Sequence, residues 1–407
     1  MAAIDAQFYW MSAKIPSDQF LLYAFAGVPA DLDQAIDVVL DRARLIPDLN
    51  IRVADAGALR YPRWVPSTES AAVSRHRVPG DSWAGCLTAL VPLTDDQLDV
   101  RVAPWGLHVF TPVYDIPGHR GAGTVVVLQV AHALADGGRA AALSAWLFGR
   151  PVPVAALPAR GPAIAPWRAV VAARAHRSRV RDTRLGRLPA PVGDRPPLIT
   201  NNRPRGARSL RTVVRRREDL RGPTVTVAVL AAVSVALSEY LDVPGDELGA
   251  ELPMAKTGLR RAHNHFSNIA VGLYPNLGHD ARCRRIAADV RAGRLRISHP
   301  ATTAADRAFA ATPAALLRWG VAQFDPDIRP VRVTGNTVVS SVHRGAADLR
   351  FGDAPVALTA GLPALSPAMG LTHGVHGIGD TVVVTVHCAL SAIDDVDLYL
   401  RLLDAAL

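Results

Sequence analysis

The residues best suited to chemistry lie in one stretch, Val130-Ala131-His132-Ala133-Leu134-Ala135-Asp136-Gly137-Gly138. It follows the β-branched run Thr124 to Val130 and precedes Ala140, Ala141, Leu143 and Leu147, which recur at helical spacing before Gly149. His132 therefore ends a strand and Asp136 opens a helix. An imidazole at the end of a buried strand can be held rigidly with its ring facing an interior space, which suits proton transfer near neutral pH. A carboxylate four residues later can tie the loop back. Gly137 would let the backbone take a conformation closed to larger residues. The same spacing also describes a histidine and an aspartate that merely cap a strand-to-helix turn.

The surrounding elements must place this stretch. Residues 20 to 28 read as a strand, and Leu32, Ala35, Ile36, Val39, Leu40 and Ala43 mark a helix ended by Pro47. Leu107 to Tyr114 and Thr124 to Val130, separated by a Gly/Pro-rich turn, predict a hairpin. Later helices are expected over Pro223 to Tyr240, Asp280 to Ile297 and Asp394 to Ala406. Later strands are expected over Leu248 to Met254, Ile269 to Tyr274, Thr337 to Val342, Asp348 to Phe351 and Thr381 to His387. Between Arg160 and Arg217 the character changes to 16 Arg against two Asp, with seven Pro, which by composition is a linker. The chain divides into residues 1–159, a crossover at 160–217, and residues 218–407, with α/β alternation on both sides.

The length of 407 residues fits two or three domains, and 49% hydrophobic with 20% charged residues describes a folded chain. The net charge of +9 is uneven: 160–217 carries +14, and the remaining 349 residues carry −5. Only Lys14 and Lys256 are lysines, so part of the arginine content reflects coding bias. The basic segment has one aromatic, Trp167, and lacks the stacking platform of a single-strand binder, so no nucleic-acid partner is expected. Contact with coenzyme A phosphates or weak association with an anionic membrane surface stays open for it. Cys86, Cys283 and Cys388 are far apart and suggest neither a disulfide framework nor a zinc site. No basic, apolar leader is visible, and the run Val225 to Leu237 is too short to span a bilayer, so a cytoplasmic location is expected.

Other motifs are weaker. His263-x-His265 and His373-x-x-His376 lack the spacing of a zinc protease and read as solvated loop histidines, so no metal is expected. Gly80-Asp81-Ser82-Trp83-Ala84 lacks the final glycine of a nucleophile elbow. Gly121-Ala122-Gly123 lacks the third glycine of a dinucleotide loop and reads as a hairpin turn.

The His-x-x-x-Asp-Gly stretch resembles the active-site motif of the chloramphenicol acetyltransferase-like superfamily of coenzyme A-dependent acyltransferases, which also holds the condensation domains of peptide synthetases. The chain is more closely similar to the bacterial wax ester synthase/diacylglycerol acyltransferase family. The matching segments fall in that family's order: Ile4-Asp5-Ala6-Gln7-Phe8, Pro104-Trp105, the His132 stretch, Glu251-Leu252-Pro253-Met254 with Ser267-Asn268, and Val338-Val339-Ser340-Ser341-Val342. Three departures stand out. Ala131 replaces the first of two adjacent histidines, Ser341 stands where Asn is common, and His343-Arg344-Gly345 replaces a Pro-Gly. The last two bear on the acyl and acceptor pocket.

The resemblance implies an α/β fold of two acyltransferase subdomains, a pseudo-dimer around a central cleft or tunnel. It implies His132 as general base in transfer from acyl-coenzyme A, the co-substrate, to an alcohol such as a long-chain alcohol, a diacylglycerol or a specialised metabolite. No bound cofactor is expected. Ser340, Ser341 and Asn268 are candidates for oxyanion or substrate contacts, and Asp136 for positioning through an arginine. The alternative is a carrier-protein-dependent or catalytically silent condensation-like protein, with an acyl carrier protein as partner.

Overall fold

The computed structural model describes residues 1–55, 57–69, 71–154, 156–157, 165–243 and 248–407. The first half holds α1 (Ala3–Ser12), β1 (Gln19–Phe25), α2 (Leu32–Arg44), β2 (Ile51–Ala54), β3 (Arg63–Pro66), β4 (Ala72–His76), α3 (Trp83–Leu90), β5 (Trp105–Val113), β6 (Gly123–Val130) and α4 (Gly137–Leu147). Then come α5 (Trp167–Arg184) and β7 (Arg208–Arg216). The second half holds α6 (Val225–Leu241), β8 (Gly249–Ala255), β9 (Phe266–Gly272), α7 (His279–Ser298), α8 (Pro300–Phe309), α9 (Ala314–Ala322) and β10 (Thr337–His343). The chain closes with β11 (Arg350–Phe351), β12 (Ala354–Leu362), β13 (Leu371–Ile378), β14 (Thr381–Ala389) and α10 (Val396–Ala406). Among the described residues no helix is long and apolar enough to cross a membrane.

Two six-stranded sheets result, in the orders β11-β12-β1-β6-β5-β4 and β7-β14-β13-β10-β8-β9. Every residue of β6 is buried, as its Val-rich sequence suits in a central strand. One face of the first sheet packs on α2 and α4 through Tyr23, Val126 and Leu128. The second sheet packs on α6, α7 and α10 through Ala250, Leu252, Val339 and Val384. A third apolar cluster joins the sheets, with Leu22, Val127 and Leu358 from the first meeting Leu210 and Val383 from the second beside α3.

The sheets exchange strands. β12 leaves the second half to pair antiparallel with β1, and β7 pairs along its length with β14. The segment read as a linker therefore holds a helix and an edge strand. On β7 Leu210 and Val213 are buried, while Arg208, Arg211 and Arg215 pair with Asp95, Asp397 and Asp404. Composition hides this because arginine can cover a sheet edge with its stem and pair at its tip. The 159/160 junction and Pro162 lie outside the described residues.

Sequence periodicity also misses β12 and β13. Both faces of each are largely buried, which erases the two-residue alternation. They carry the closest approach of the two sheets: a Cβ on Gly374 would collide with the Gly361 carbonyl, and one on Gly361 with the His376 ring. His373 and His376 are therefore buried strand residues rather than solvated loop histidines. His373 bridges β10 and α10, with Nδ1 2.8 Å from Thr337 Oγ1 and Nε2 2.8 Å from Tyr399 Oη. Burial pushes its pKa down to about 3, so it is neutral in the folded protein. Tyr399→Phe strands one of these buried polar atoms and is expected to lower stability by about 1–2 kcal/mol in urea unfolding.

Candidate active site

His132 sits just past the end of β6. Ahead of it, the Ala131 N–H donates to Pro104 O (2.9 Å), and Trp105 Nε1 donates to Leu49 O (2.9 Å), which fixes the hairpin carrying the strand end. The imidazole lies flat against Phe8 of α1, with centroids 4.0 Å apart and planes 5° from parallel. Phe266 of β9 lies 5.7 Å from the ring. Asn264 Nδ2 donates to His132 O at 2.7 Å. Burial pulls the imidazole below its ordinary pKa, against the opposing pull of its own carbonyl, Asn264 and the Asp136 and Asp5 carboxylates. Nδ1 is enclosed and completes no hydrogen bond of ordinary geometry.

Asp136 does two things at once. Its Oδ1 accepts from Arg139 N–H at 2.9 Å, capping α4. Arg260 binds both carboxylate oxygens, at 2.8 and 3.2 Å, and His265 N–H donates to Oδ2 at 2.8 Å. Capping and tying, the two readings of the motif, coexist. Burial alone would raise the Asp136 pKa, but Arg260 and the backbone donors hold it below the ordinary value.

The N-terminal segment completes the tie. Asp5, 1% exposed, accepts from the N–H groups of His263 and Asn264 and from Asn264 Nδ2, each at 3.0 Å. His263 lies between Asp5 (3.3 Å) and Asp48 (3.5 Å), and Arg139 binds Asp48 as well. Burial would lower the His263 pKa, but the two carboxylates outweigh it and raise it. Burial likewise opposes ionisation of Asp48, yet His263 and Arg139 hold it at about 2. His263 is thus a buried partner of two acids rather than a solvated loop residue. Among the described residues no group of three or more His, Cys, Asp or Glu is disposed to hold a metal ion.

Strand register sorts the remaining candidates. Val338 pairs with Glu251, Glu251 with Ala270 and Pro253 with Asn268, so Ser340, Val342, Glu251, Asn268 and Phe266 share one face of the second sheet. This half-exposed face meets His132 through Phe266 and the first core through Val342. Asn268 is exposed on it and hydrogen-bonds Glu251. Ser341 lies on the opposite face and bonds Thr226 of α6, Oγ to Oγ1 at 2.8 Å, so it does not look into the cleft. Gly137 has no positive φ, and a Cβ there would meet Val342 and Gln19 at ordinary distances of 3.7 and 3.8 Å. No special backbone conformation explains this glycine. Ala131 fills a small apolar cluster with Val53 and Val100. Arg344 runs between the sheets, over the Tyr23 ring at 4.8 Å and onto Thr359. Ser82 caps α3.

Sequence reasoning missed Arg260, Asn264 and Phe266. Arg260 and Phe266 flank the His263-x-His265 pair and Asn264 is its middle residue, in or beside the loop joining β8 and β9, and no local pattern marks them.

No family model matches the chain, and no curated protein matches it by sequence. Solved structures do match. The wax ester synthase/diacylglycerol acyltransferase from Marinobacter aquaeolei VT8 covers 99% of this chain with 96% of its own, at 17% identity and a TM-score of 0.62. The starter condensation domain of rhizomide synthetase RzmA, solved as a variant in complex with C8-CoA, covers 100% with 94% of its own, at 12% identity and a TM-score of 0.63. The chain thus has the two-subdomain α/β fold of these solved structures. Within it, this chain is similar to a wax ester synthase and a condensation domain alike.

Two substitutions test the site's construction. Asp5→Ala leaves buried donors without an acceptor and is expected to cost about 3 kcal/mol in chemical denaturation. Gly137→Ala is expected to leave stability unchanged or raised by up to about 1 kcal/mol, measured the same way.

Proposed function

We propose that this protein is an acyltransferase that moves an acyl group from an acyl-coenzyme A to an alcohol, with His132 as general base. The observation that carries this reading is the His132 ring itself, stacked flat on Phe8 with Phe266 beside both rings and partly exposed; burial lowers its pKa and so favours the neutral form. The neutral ring accepts the acceptor's hydroxyl proton as the oxygen attacks the thioester carbonyl. The tetrahedral intermediate then expels the coenzyme A thiolate, which takes the proton from the imidazolium. Such a base is worth about 10²- to 10⁴-fold. Ser340, on the cleft face, is the hydroxyl we assign to the oxyanion, with Asn268 along the same face toward substrate. Asp136 positions the loop and moves no proton. Packing of Ala131 with Val53 and Val100 accommodates the missing first histidine without disturbing His132. The folds of an acyltransferase and of a C8-CoA complex among the similar structures agree with a thioester donor.

Thiol release from acyl-coenzyme A of several chain lengths, with and without alcohols, tests the reading. His132→Ala is expected to lower the rate by about 10²-fold or more, and Ser340→Ala to lower kcat with little change in KM. Wild-type release no faster than His132→Ala for every donor and acceptor would overturn it. Turnover only from an acyl carrier protein would instead support the carrier-dependent alternative. Because protonation removes the base and burial lowers its pKa, kcat/KM should fall on the acid side only below pH 6.5.

A further inference from the structure

Glu251, near the middle of β8, is the only acid among the described strand residues on the cleft face of the second sheet. Val338 of β10 pairs with it on one side and Ala270 of β9 on the other, so it stands inside the sheet. Its carboxylate accepts a hydrogen bond from Asn268 Nδ2 and, among the described residues, takes part in no ion pair. Arg195 packs over Gly249, two residues earlier on the same face, and has a partner of its own.

The neighbours of Glu251 on this face, Val338, Pro253 and Ala270, are apolar and half-buried, and they give an anion little of what water would. Burial accordingly raises its pKa, with the Asn268 bond opposing. The other carboxylates of the site are treated differently: Asp136 meets Arg260, and Asp48 meets Arg139 and His263. In a chain with 45 Lys and Arg residues, a lone carboxylate on the reacting face is a charge left open. It is also within reach of the chemistry. Phe266, two residues before Asn268 on β9, shares the face and lies 5.7 Å from the His132 ring. Two strand residues add roughly 6.6 Å, so the carboxylate stands on the order of 10 Å from the imidazole, beside Ser340.

We infer that Glu251 is a specificity-determining residue, pairing with a cationic group that the acceptor carries about 10 Å from its reacting hydroxyl. The acceptor is then an amino alcohol or a quaternary-ammonium alcohol rather than a plain long-chain alcohol or a diacylglycerol. An ammonium seated there gives the carboxylate the counter-charge that the chain itself withholds, in a cleft where partial exclusion of water strengthens the pair. The inference deepens the acyltransferase reading and rests on it for the hydroxyl at His132, while the pairing at Glu251 can be measured without turnover.

Two alcohols of matched shape test it: an octanol ending in trimethylammonium, whose charge is fixed and whose only nucleophile is the hydroxyl, and its neutral isostere ending in tert-butyl. With octanoyl-coenzyme A as donor, wild type should show a KM for the cationic alcohol at least about tenfold below that for the isostere. Glu251→Gln, which keeps the shape of the side chain, should abolish that difference through a higher KM for the cationic alcohol at little change in its kcat. Glu251→Lys should turn the preference toward an octanol ending in a carboxylate. Calorimetric titration of the same alcohols into the full chain, without donor, reads the pairing apart from turnover, and far-ultraviolet circular dichroism checks that both variants are folded. Equal affinity of wild type for the two alcohols, or the same ratio in wild type and Glu251→Gln, overturns the inference. Thiol release that depends on His132 but not on Glu251 sinks it and leaves acyltransfer standing. Glu251-dependent binding of the cationic alcohol without His132-dependent thiol release sinks the acyltransfer reading alone.

Discussion

The carboxylate of Asp136 is where the two halves of the molecule are fastened around the candidate site. Four N–H donors converge on it: the first turn of α4, both terminal nitrogens of Arg260, and the backbone of His265. Arg260 comes from 124 residues away, so the β6–α4 turn and the β8–β9 loop behave as one unit. Asp136 is nearly excluded from water, which keeps these bonds strong and makes an unpaired Arg260 costly. Asp5 repeats the device on the same loop from α1, and both ties bear on the backbone that carries His132.

Two neighbouring histidines show how that framework assigns charge. His263 lies between two carboxylates that favour its protonated form. His132 faces aromatic rings, while the nearest acids already accept several hydrogen bonds, so burial dominates and favours the neutral form. Burial and neighbouring carboxylates thus push the same imidazole in opposite directions at the two positions. Stacking on Phe8 also limits rotation of the His132 ring.

The rest of the architecture keeps this arrangement in register. β12 crosses into the first sheet and β7 into the second, so neither half closes its sheet alone. Gly361 and Gly374 let the sheets touch, and Arg344 fills the space above Tyr23. The His343-Arg344-Gly345 stretch is therefore in part a joint between sheets.

Much of this was legible in the chain. The hairpin ending at Val130, the helix after Asp136, the apolar α6 and the amphipathic α10 follow from local periodicity, because each buries a regular face. His132 and Asp136 stood out because their chemistry and spacing are local. The regularity of residues 165–217 was obscured by arginines whose partners, Asp95, Asp397 and Asp404, lie in distant elements. Arg260, Asn264 and Phe266 left no signal, since an ordinary arginine, asparagine or phenylalanine acquires its role only from what it touches. The sequence by itself thus determined the alternation of elements and the residues able to act, through periodicity and side-chain chemistry. Only the tertiary structure decided which serine faces the cleft, which histidine is neutral and which arginine meets Asp136, because those depend on strand register and on contacts between segments far apart in the chain.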